Sequence, residues 1–132
     1  MAEALATTII DAPVETVWAV LRDFNGMPVW NPGVTQSSIE DGRDADSVGC
    51  IRAFTLADGS FVRERLLALD DSRYHMAYNF ETPAFPVENY LAMLELIPVT
   101  NGNKTFVRWQ ASFDEGAGDK GKYAALISKA VF

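Results

Sequence analysis

The stretch from Val34 to Asp114 constrains the fold most, because it contains consecutive strand patterns and no helical pattern. The strands are predicted at residues 34–40, 47–56, 60–70, 73–82, 87–98 and 103–114. The breaks between them carry Asp-Gly or Asn-Gly pairs, aspartates or prolines, which favour turns. Parallel neighbours would need long crossover connections, usually helices. The sequence therefore predicts an antiparallel sheet.

Helical patterns flank this run of strands on both sides. A first strand is predicted over Ala4–Asp11, and Pro13 then suits the first position of a helix. The apolar residues that follow recur at helical spacing: Val14, Val17, Trp18, Leu21 and Phe24. A short helix or turn is predicted at Met27–Asn31 and a last helix at Lys120–Phe132. We predict one α+β domain over residues 1–132, with helices covering one face of a curved seven-stranded antiparallel sheet.

Charge and composition exclude several classes of partner. The formal net charge is −7 and the basic residues are scattered, whereas nucleic-acid binding needs clustered Lys and Arg. The apolar runs are too short to span a membrane, and the N-terminus lacks the pattern of a signal peptide. Cys50 is the only cysteine, which fits a reducing compartment. We expect a cytoplasmic protein without nucleic-acid or membrane partners, and its oligomeric state stays open.

The hairpin turn around Gly59 determines which residues of two neighbouring strands face each other. A two-residue loop would place Arg52 opposite Arg65, which is unfavourable because like charges would meet. A three-residue loop with Gly59 in the left-handed conformation shifts the register by one residue and places Arg52 opposite Glu64. The sequence favours the second register, which pairs opposite charges and leaves Arg63 and Arg65 on the solvated face.

Side-chain alternation along the later strands gathers aromatic residues on the face that carries Arg52 and Glu64, hereafter the inner face. The residues predicted to share it are Tyr74, Met76, Tyr78 and Phe80, then Tyr90, Ala92, Leu94 and Leu96, then Val107, Trp109, Ala111 and Phe113. The result would be an aromatic concavity containing one Arg and one Glu. The candidate ligand-binding residues are Trp30, Cys50, Phe54, Tyr78, Phe80, Tyr90 and Trp109.

Other motifs give no cofactor or metal site. The segment Gly116–Gly121 fits a dinucleotide fingerprint, but no parallel strand or ribose-binding acid follows it. His75 falls on the opposite face and lacks the spacing of a metal site or triad. The acidic loop Glu40–Asp46 lacks calcium-binding spacing and is predicted to be a solvated turn. Cys50 has no base beside it and is interpreted as a small core residue.

Arg52 and Glu64 are the candidate catalytic residues. Charges inside an apolar concavity are unfavourable by several kcal/mol each unless they are paired, and a pair often stabilises no better than apolar side chains. Two interpretations therefore stay open. The pair is either a structural salt bridge or a device that orients a polar group on a ligand.

Six stretches of the sequence together resemble the START/Bet v 1-like superfamily, and within it the proteins of polyketide cyclase/dehydrase type. In chain order they are IDAPVETVWAVLRDF with VWNP, SVGCIRAF, VRERLLALDD, YHMAYNF, VENYLAMLEL and FVRWQASFD. The resemblance implies a helix-grip fold, in which a curved seven-stranded sheet wraps around a C-terminal helix and encloses a cavity. This expectation agrees with the order of elements predicted above.

The resemblance also extends to individual positions. Glu64 and Tyr90 are similar to pocket residues of plant abscisic acid receptors, but Thr35 stands where those receptors have a carboxylate-binding Lys. The essential Arg and Glu of lachrymatory factor synthase would correspond to Arg52 and Glu64, and a Trp of that enzyme to Trp109. These correspondences make an enzyme conceivable without specifying its reaction.

The sequence thus predicts a protein that binds a mostly apolar, aromatic or polyketide-like small molecule in an internal cavity. Cofactor-independent cyclase/dehydratase or isomerase activity stays open, with Arg52 stabilising an oxyanion or enolate and Glu64 transferring the proton. Tyr78 and Tyr90 would then orient the substrate. The alternative is a protein-interaction module of the same fold, similar to a chaperone cofactor or toxin, that uses the outer face.

Overall fold

The computed structural model describes residues 2–83 and 86–115, which form one antiparallel sheet, two short helices and their connections. The strands are β1 (Ala2–Ile10), β2 (Val34–Ile39), β3 (Ile51–Leu56), β4 (Phe61–Asp70), β5 (His75–Thr82), β6 (Glu88–Val99) and β7 (Lys104–Asp114). The helices are α1 (Val14–Leu21) and α2 (Met27–Trp30), and a 3-10 turn follows at Glu40–Gly42. This order confirms the predicted strand, two helices and six strands, whereas the helix predicted at Lys120–Phe132 lies outside the described residues.

The sheet is curved and has the strand order β1-β7-β6-β5-β4-β3-β2, with every neighbouring pair antiparallel. Strands β2 to β6 each pair with the next strand in the chain. Strand β1 joins the last strand along its whole length, from Ala2 opposite Phe113 to Ile10 opposite Thr105. The predicted antiparallel α+β architecture is therefore confirmed.

Two predicted boundaries are wrong, and turns are the reason in both cases. The strand expected from residue 47 begins at Ile51, because residues 44–50 form turns in which Ser47 N donates to Asp44 O and Cys50 N to Ser47 O. The first helix ends at Leu21 rather than near Asn25. Beyond it, the Asn25 amide donates to a side-chain oxygen of Asp23 over 3.1 Å, which is the bond of an Asx turn.

Helix α1 covers the inner face through its apolar stripe. Val14, Val17 and Trp18 are buried, which confirms the predicted spacing. The indole Nε1 of Trp18 donates to Asp71 Oδ1 over 2.8 Å, and Arg22 Nε donates to the same oxygen over 2.8 Å. Asp71 lies in the turn between β4 and β5, so these bonds tie the helix to one end of the sheet.

Two apolar clusters make up the described core, and Arg52 and Glu64 lie between them. The smaller cluster consists of Met27, Val34, Phe54 and Val62. Along β3, Arg52 separates Phe54 from Cys50, which lies just before the strand and belongs to the larger cluster. On β4, Glu64 separates Val62 from Leu66 in the same way. The charged row thus interrupts the apolar inner face at one level of the sheet.

The β3–β4 hairpin has the predicted three-residue loop. Arg52 lies directly opposite Glu64, and Gly59 has a φ of +90°. Leu56 N donates to Ser60 O over 2.8 Å, and Gly59 N donates to Leu56 O over 2.9 Å. The register preferred from charge pairing is therefore confirmed.

Gly59→Ala should lower the free energy of unfolding by about 1 kcal/mol or more, because a Cβ is unfavourable at positive φ. A Cβ at Gly59 would meet no atom within 4 Å, so the loss measures backbone strain rather than a clash. Gly59→Asn is the matched control and should lose less, because Asn tolerates the left-handed region. Urea unfolding measures both, and an alanine variant as stable as the unsubstituted protein would contradict the assigned turn.

Candidate functional site

Arg52 and Glu64 form a buried ion pair across β3 and β4. Arg52 Nε donates to Glu64 Oε1 over 2.9 Å, and Nη2 lies 2.7 Å from the same oxygen. Arg52 Nη1 donates to the backbone carbonyl of Phe24 over 3.2 Å. The two side chains keep only 5% and 6% of their surface exposed. The two candidate catalytic residues are therefore in direct contact and almost completely removed from water.

Aromatic rings surround the guanidinium of Arg52. Its central carbon lies 4.0 Å from the centroid of Phe24, 4.8 Å from that of Tyr78 and 5.6 Å from that of Phe54. Cation–π contacts of a desolvated Arg contribute about 2 kcal/mol. Sequence reasoning assigned Phe24 to a helical stripe and missed its place in the site. No local signal could have found it, because the contact joins residues far apart in the chain.

The carboxylate of Glu64 uses its two oxygens unequally. Both contacts from Arg52 end on Oε1, and no hydrogen bond between the described residues ends on Oε2. A bidentate Arg–carboxylate pair would instead give one bond to each oxygen. Burial raises the pKa of Glu64, and the nearby charge of Arg52 offsets this only in part. Oε2 is therefore an acceptor that Arg52 leaves unused.

Two pairs of aromatic rings extend the inner face beside the ion pair. Phe80 and Tyr90 stack with centroids 3.9 Å apart and planes inclined by 18°. Trp30 and Trp109 lie 5.7 Å apart and are tilted by 48°. Trp109 Nε1 donates to the hydroxyl of Tyr78 over 2.9 Å. All except the buried Tyr78 are partly buried, so the structure brings these predicted ligand-binding residues together as an aromatic wall.

The polar groups of this wall are neutral hydrogen-bond donors at neutral pH. Burial raises the pKa of Tyr78, and the charge of Glu64 raises it further. Burial also raises the pKa of Tyr90, with Tyr78 and Glu64 adding to the effect. Both phenols therefore stay protonated. The indole Nε1 of Trp30 is shielded from solvent and has no hydrogen-bond partner among the residues that the structure describes.

A β-bulge in β6 positions Tyr90. The pairing with β7 shifts register between Glu88 and Leu91, and Asn89 has a φ of +54°. Asn89 Nδ2 donates to Asp114 Oδ2 over 2.8 Å, which holds the bulge against the neighbouring strand. Bulges often re-aim side chains beside functional sites. Sequence reasoning missed this one, although Asn next to Tyr90 is a residue type that tolerates the left-handed region.

Cys50 lies in the larger core cluster rather than in the aromatic wall. Its side chain is fully buried, and Sγ lies 3.8 Å from the carbonyl oxygen of Ala45. Burial raises the pKa of the thiol, so the reactive thiolate is disfavoured. This environment supports the interpretation of Cys50 as a packing residue.

The outer face carries the arginines excluded from the site. Arg65 Nε lies 2.6 Å from Glu81 Oε1, and Arg63 is bound by both carboxylate oxygens of Glu40, at 2.6 and 2.8 Å. The prediction that the acidic loop is simply solvated is therefore wrong for Glu40. Its pKa is lowered by the bond to Arg63. The cause is the 3-10 turn after β2, which contains Glu40 and brings it against β4.

The described residues also bear on metals and membranes. Within residues 2–83 and 86–115, no group of three or more His, Cys, Asp and Glu side chains is arranged to hold a metal ion. The helices of these ranges are not long and apolar enough to cross a membrane. The predicted internal cavity depends on the C-terminal segment as well as the sheet and stays a prediction.

Comparisons with known proteins agree with this architecture. The family model described as polyketide cyclase / dehydrase and lipid transport matches residues 1–131. A solution structure from Thermobifida fusca is 28% identical with a TM-score of 0.89, over 100% of this chain and 86% of that one. XoxI from Bacillus cereus is 26% identical with a TM-score of 0.89, over 99% and 88%. Major latex-like protein 151 from Panax ginseng, at 14% identity, TM-score 0.76 and coverage of 97% and 89%, shares the fold.

Removing one member of the ion pair should destabilise the protein more than removing both. Arg52→Met leaves Glu64 buried without its partner and should lower the free energy of unfolding by about 3–5 kcal/mol. Adding Glu64→Leu should restore most of the loss, because no unpaired charge remains. Arg65→Met is the control, since its partly exposed pair with Glu81 contributes about 0–1 kcal/mol. Equal losses in the single and double variants would contradict this account of the pair.

The stability difference between the protein and its Glu64→Gln variant should fall as pH rises above about 4.5. The raised pKa means that the folded state holds the proton of Glu64 more tightly than the unfolded state, whose ordinary value is 4.5. The stability that protonated Glu64 contributes is therefore complete below its pKa in the unfolded state and is lost as pH rises through its pKa in the folded state. Urea unfolding over about pH 4 to 8 measures the difference.

Glu40→Gln provides the opposite case, because Arg63 lowers the pKa of Glu40. The stability that Glu40 contributes is present above its pKa in the unfolded state and is lost as pH falls through its pKa in the folded state. The two variants should therefore give slopes of opposite sign. A flat or rising difference for Glu64 would show that burial does not disfavour its charged form.

Proposed function

Since the chain belongs to the polyketide cyclase/dehydrase and lipid transport family, we propose that it binds a mostly apolar, aromatic or polyketide-like small molecule on the inner face of the sheet. One observation carries the proposal: a partly buried aromatic wall lies beside a buried ion pair in which Arg52 contacts only one oxygen of the carboxylate. Small-molecule sites combine such apolar walls with a few placed polar groups.

The energetics of the ion pair support a binding role. A buried pair is often replaced by apolar residues without loss of stability, so folding alone does not require Arg52 and Glu64. The aromatic pairs beside them offer ring faces of the kind that bind planar ligands. The proposal needs no metal or organic cofactor. Cys50 is free and buried, which fits a reducing compartment, and the proposal assigns the protein to the cytoplasm.

The outer face suits a protein partner less well. Its exposed apolar side chains include Leu5, Ile9 and Ile97. Ion pairs such as those of Arg63, Arg65 and Arg108 with carboxylates interrupt this surface. The cores of protein interfaces are depleted of charged residues. The small-molecule site is therefore the function that the geometry favours over an interaction module.

Catalysis on the bound molecule is the second candidate, and the raised pKa of Glu64 favours it. A buried carboxyl group with a raised pKa keeps its proton more readily and can act as a general acid or base. Arg52 would stabilise the negative charge that develops on a substrate oxygen. We rank binding first, because the described residues offer no further reactive group beside this pair.

A contact quencher should reach Trp109 and not Trp18. The comparison uses two double variants that keep one tryptophan each. The first carries Trp18→Phe and Trp30→Phe and keeps Trp109. The second carries Trp30→Phe and Trp109→Phe and keeps Trp18. Heavy-atom quenching by 2-bromonaphthalene acts at short range, so emission should fall in the first protein. Trp18 packs on Tyr74 and binds Asp71 at the end of α1, so the second should keep its emission. Quenching of Trp18 alone would contradict the proposed site.

A further inference from the structure

The unused oxygen of Glu64 limits what kind of ligand the inner face can hold. Oε1 takes both contacts from Arg52, at 2.9 and 2.7 Å, whereas Oε2 receives none from the described residues. A hydrogen bond to a charged acceptor is stronger than one to a neutral acceptor, so a donor that reaches Oε2 would be bound strongly. A hydrogen-bond donor directed at Oε2 is therefore the polar group that would add most to the affinity of a ligand.

We propose that the ligand is a neutral molecule that donates a hydroxyl hydrogen to Glu64 Oε2, and that carboxylates and other anions are excluded. This inference rests on the proposed function of the inner face. It adds the polarity of the ligand and the atom that recognises it.

The exclusion of anions follows from the bonds of Arg52. Its Nε and Nη2 are directed at Glu64 Oε1, its Nη1 donates to Phe24 O, and the ring of Phe24 lies over its plane at 4.0 Å. The charge of Arg52 is thus already neutralised by Glu64. A carboxylate ligand would lie next to Oε2 of Glu64, which Arg52 does not contact, and like charges in a dry site repel strongly.

The other arginines of the sheet cannot take over this role. Arg63 and Arg65 lie on the outer face, where Glu40 and Glu81 bind them. Arg108 is likewise bound by Glu95, at 3.0 Å. Among the described residues of the sheet, no arginine is left to receive a ligand anion on the inner face.

The preference for a hydroxyl over another donor follows from the neighbouring tyrosines. A hydroxyl donates one hydrogen bond and accepts others, so it can bond Glu64 and a phenol at once. Tyr90 stays protonated, and its ring stacks on that of Phe80, which lies directly opposite Glu64 in the neighbouring strand. The stacked rings of Phe80 and Tyr90 form the adjacent apolar surface. A phenol-like ligand matches both features.

Four naphthalenes of similar size test this inference: 2-naphthol, 2-methoxynaphthalene, 2-ethylnaphthalene and 2-naphthoate. Isothermal titration at pH 7 should show 2-naphthol binding roughly tenfold or more tightly than 2-methoxynaphthalene, which keeps the oxygen but lacks the hydrogen. 2-Ethylnaphthalene should bind about as well as the methoxy compound, and 2-naphthoate should bind most weakly. Equal affinities for 2-naphthol and 2-methoxynaphthalene would overturn the inference.

Glu64→Gln should reverse the preference. The carbonyl oxygen of the new amide must accept from Arg52, so its NH₂ group takes the place of Oε2 and becomes a donor. 2-Methoxynaphthalene should then bind at least as tightly as 2-naphthol. Glu95→Gln is the matched control, because it removes a carboxylate paired with Arg108 on the outer face and should leave the ratio unchanged.

The outcomes separate this inference from the proposed function. Binding of 2-ethylnaphthalene without any advantage for 2-naphthol would overturn the hydroxyl proposal and leave the apolar site intact. Binding of 2-naphthoate as tight as that of 2-naphthol would overturn the exclusion of anions. Absence of binding by all four compounds would overturn both the proposed function and the inference. The comparison in the unsubstituted protein decides the question even if Glu64→Gln does not fold.

Discussion

The ion pair between Arg52 and Glu64 is the interaction on which the arrangement of the inner face depends. It forms only in the register set by the loop at Gly59, because a slip of one residue would place Arg52 opposite Arg65 and leave Arg52 and Glu64 on opposite faces of the sheet. Its presence divides the described core into two clusters, with Phe80 packed against both. A single turn conformation therefore decides where polar chemistry can occur on this sheet.

The sheet and this register could be predicted because the information is local. Alternation with a period of two assigns each residue to a face, and the turn residues separate the strands. The charges of Arg52 and Glu64 then exclude the competing hairpin register. The aromatic residues Tyr78 and Trp109 fell on the same face by the same rule, and the structure joins them by a hydrogen bond.

The features that could not be predicted depend on contacts between distant segments. Phe24 reaches Arg52 only because the chain crosses the sheet after α1, and nothing in its neighbours indicates this. Glu40 meets Arg63 because a 3-10 turn follows β2. The bulge at Asn89 is stabilised by a bond to Asp114 on another strand. Such details decide the direction of individual side chains, which a period-two pattern leaves undetermined.

The unequal use of the two oxygens of Glu64 also couples stability to binding. As pH rises, ionisation of the buried carboxyl group weakens the fold, because its charged form is disfavoured there. A hydrogen bond donated to the carboxylate favours the charged form and lowers the pKa. A ligand that supplies this bond would therefore oppose the loss of stability, and any ligand specific for the folded state adds stability by mass action. Ionisation of Glu64 lowers the stability of the ligand-free protein at high pH, and Glu64 is also the residue through which a hydroxyl ligand would stabilise it.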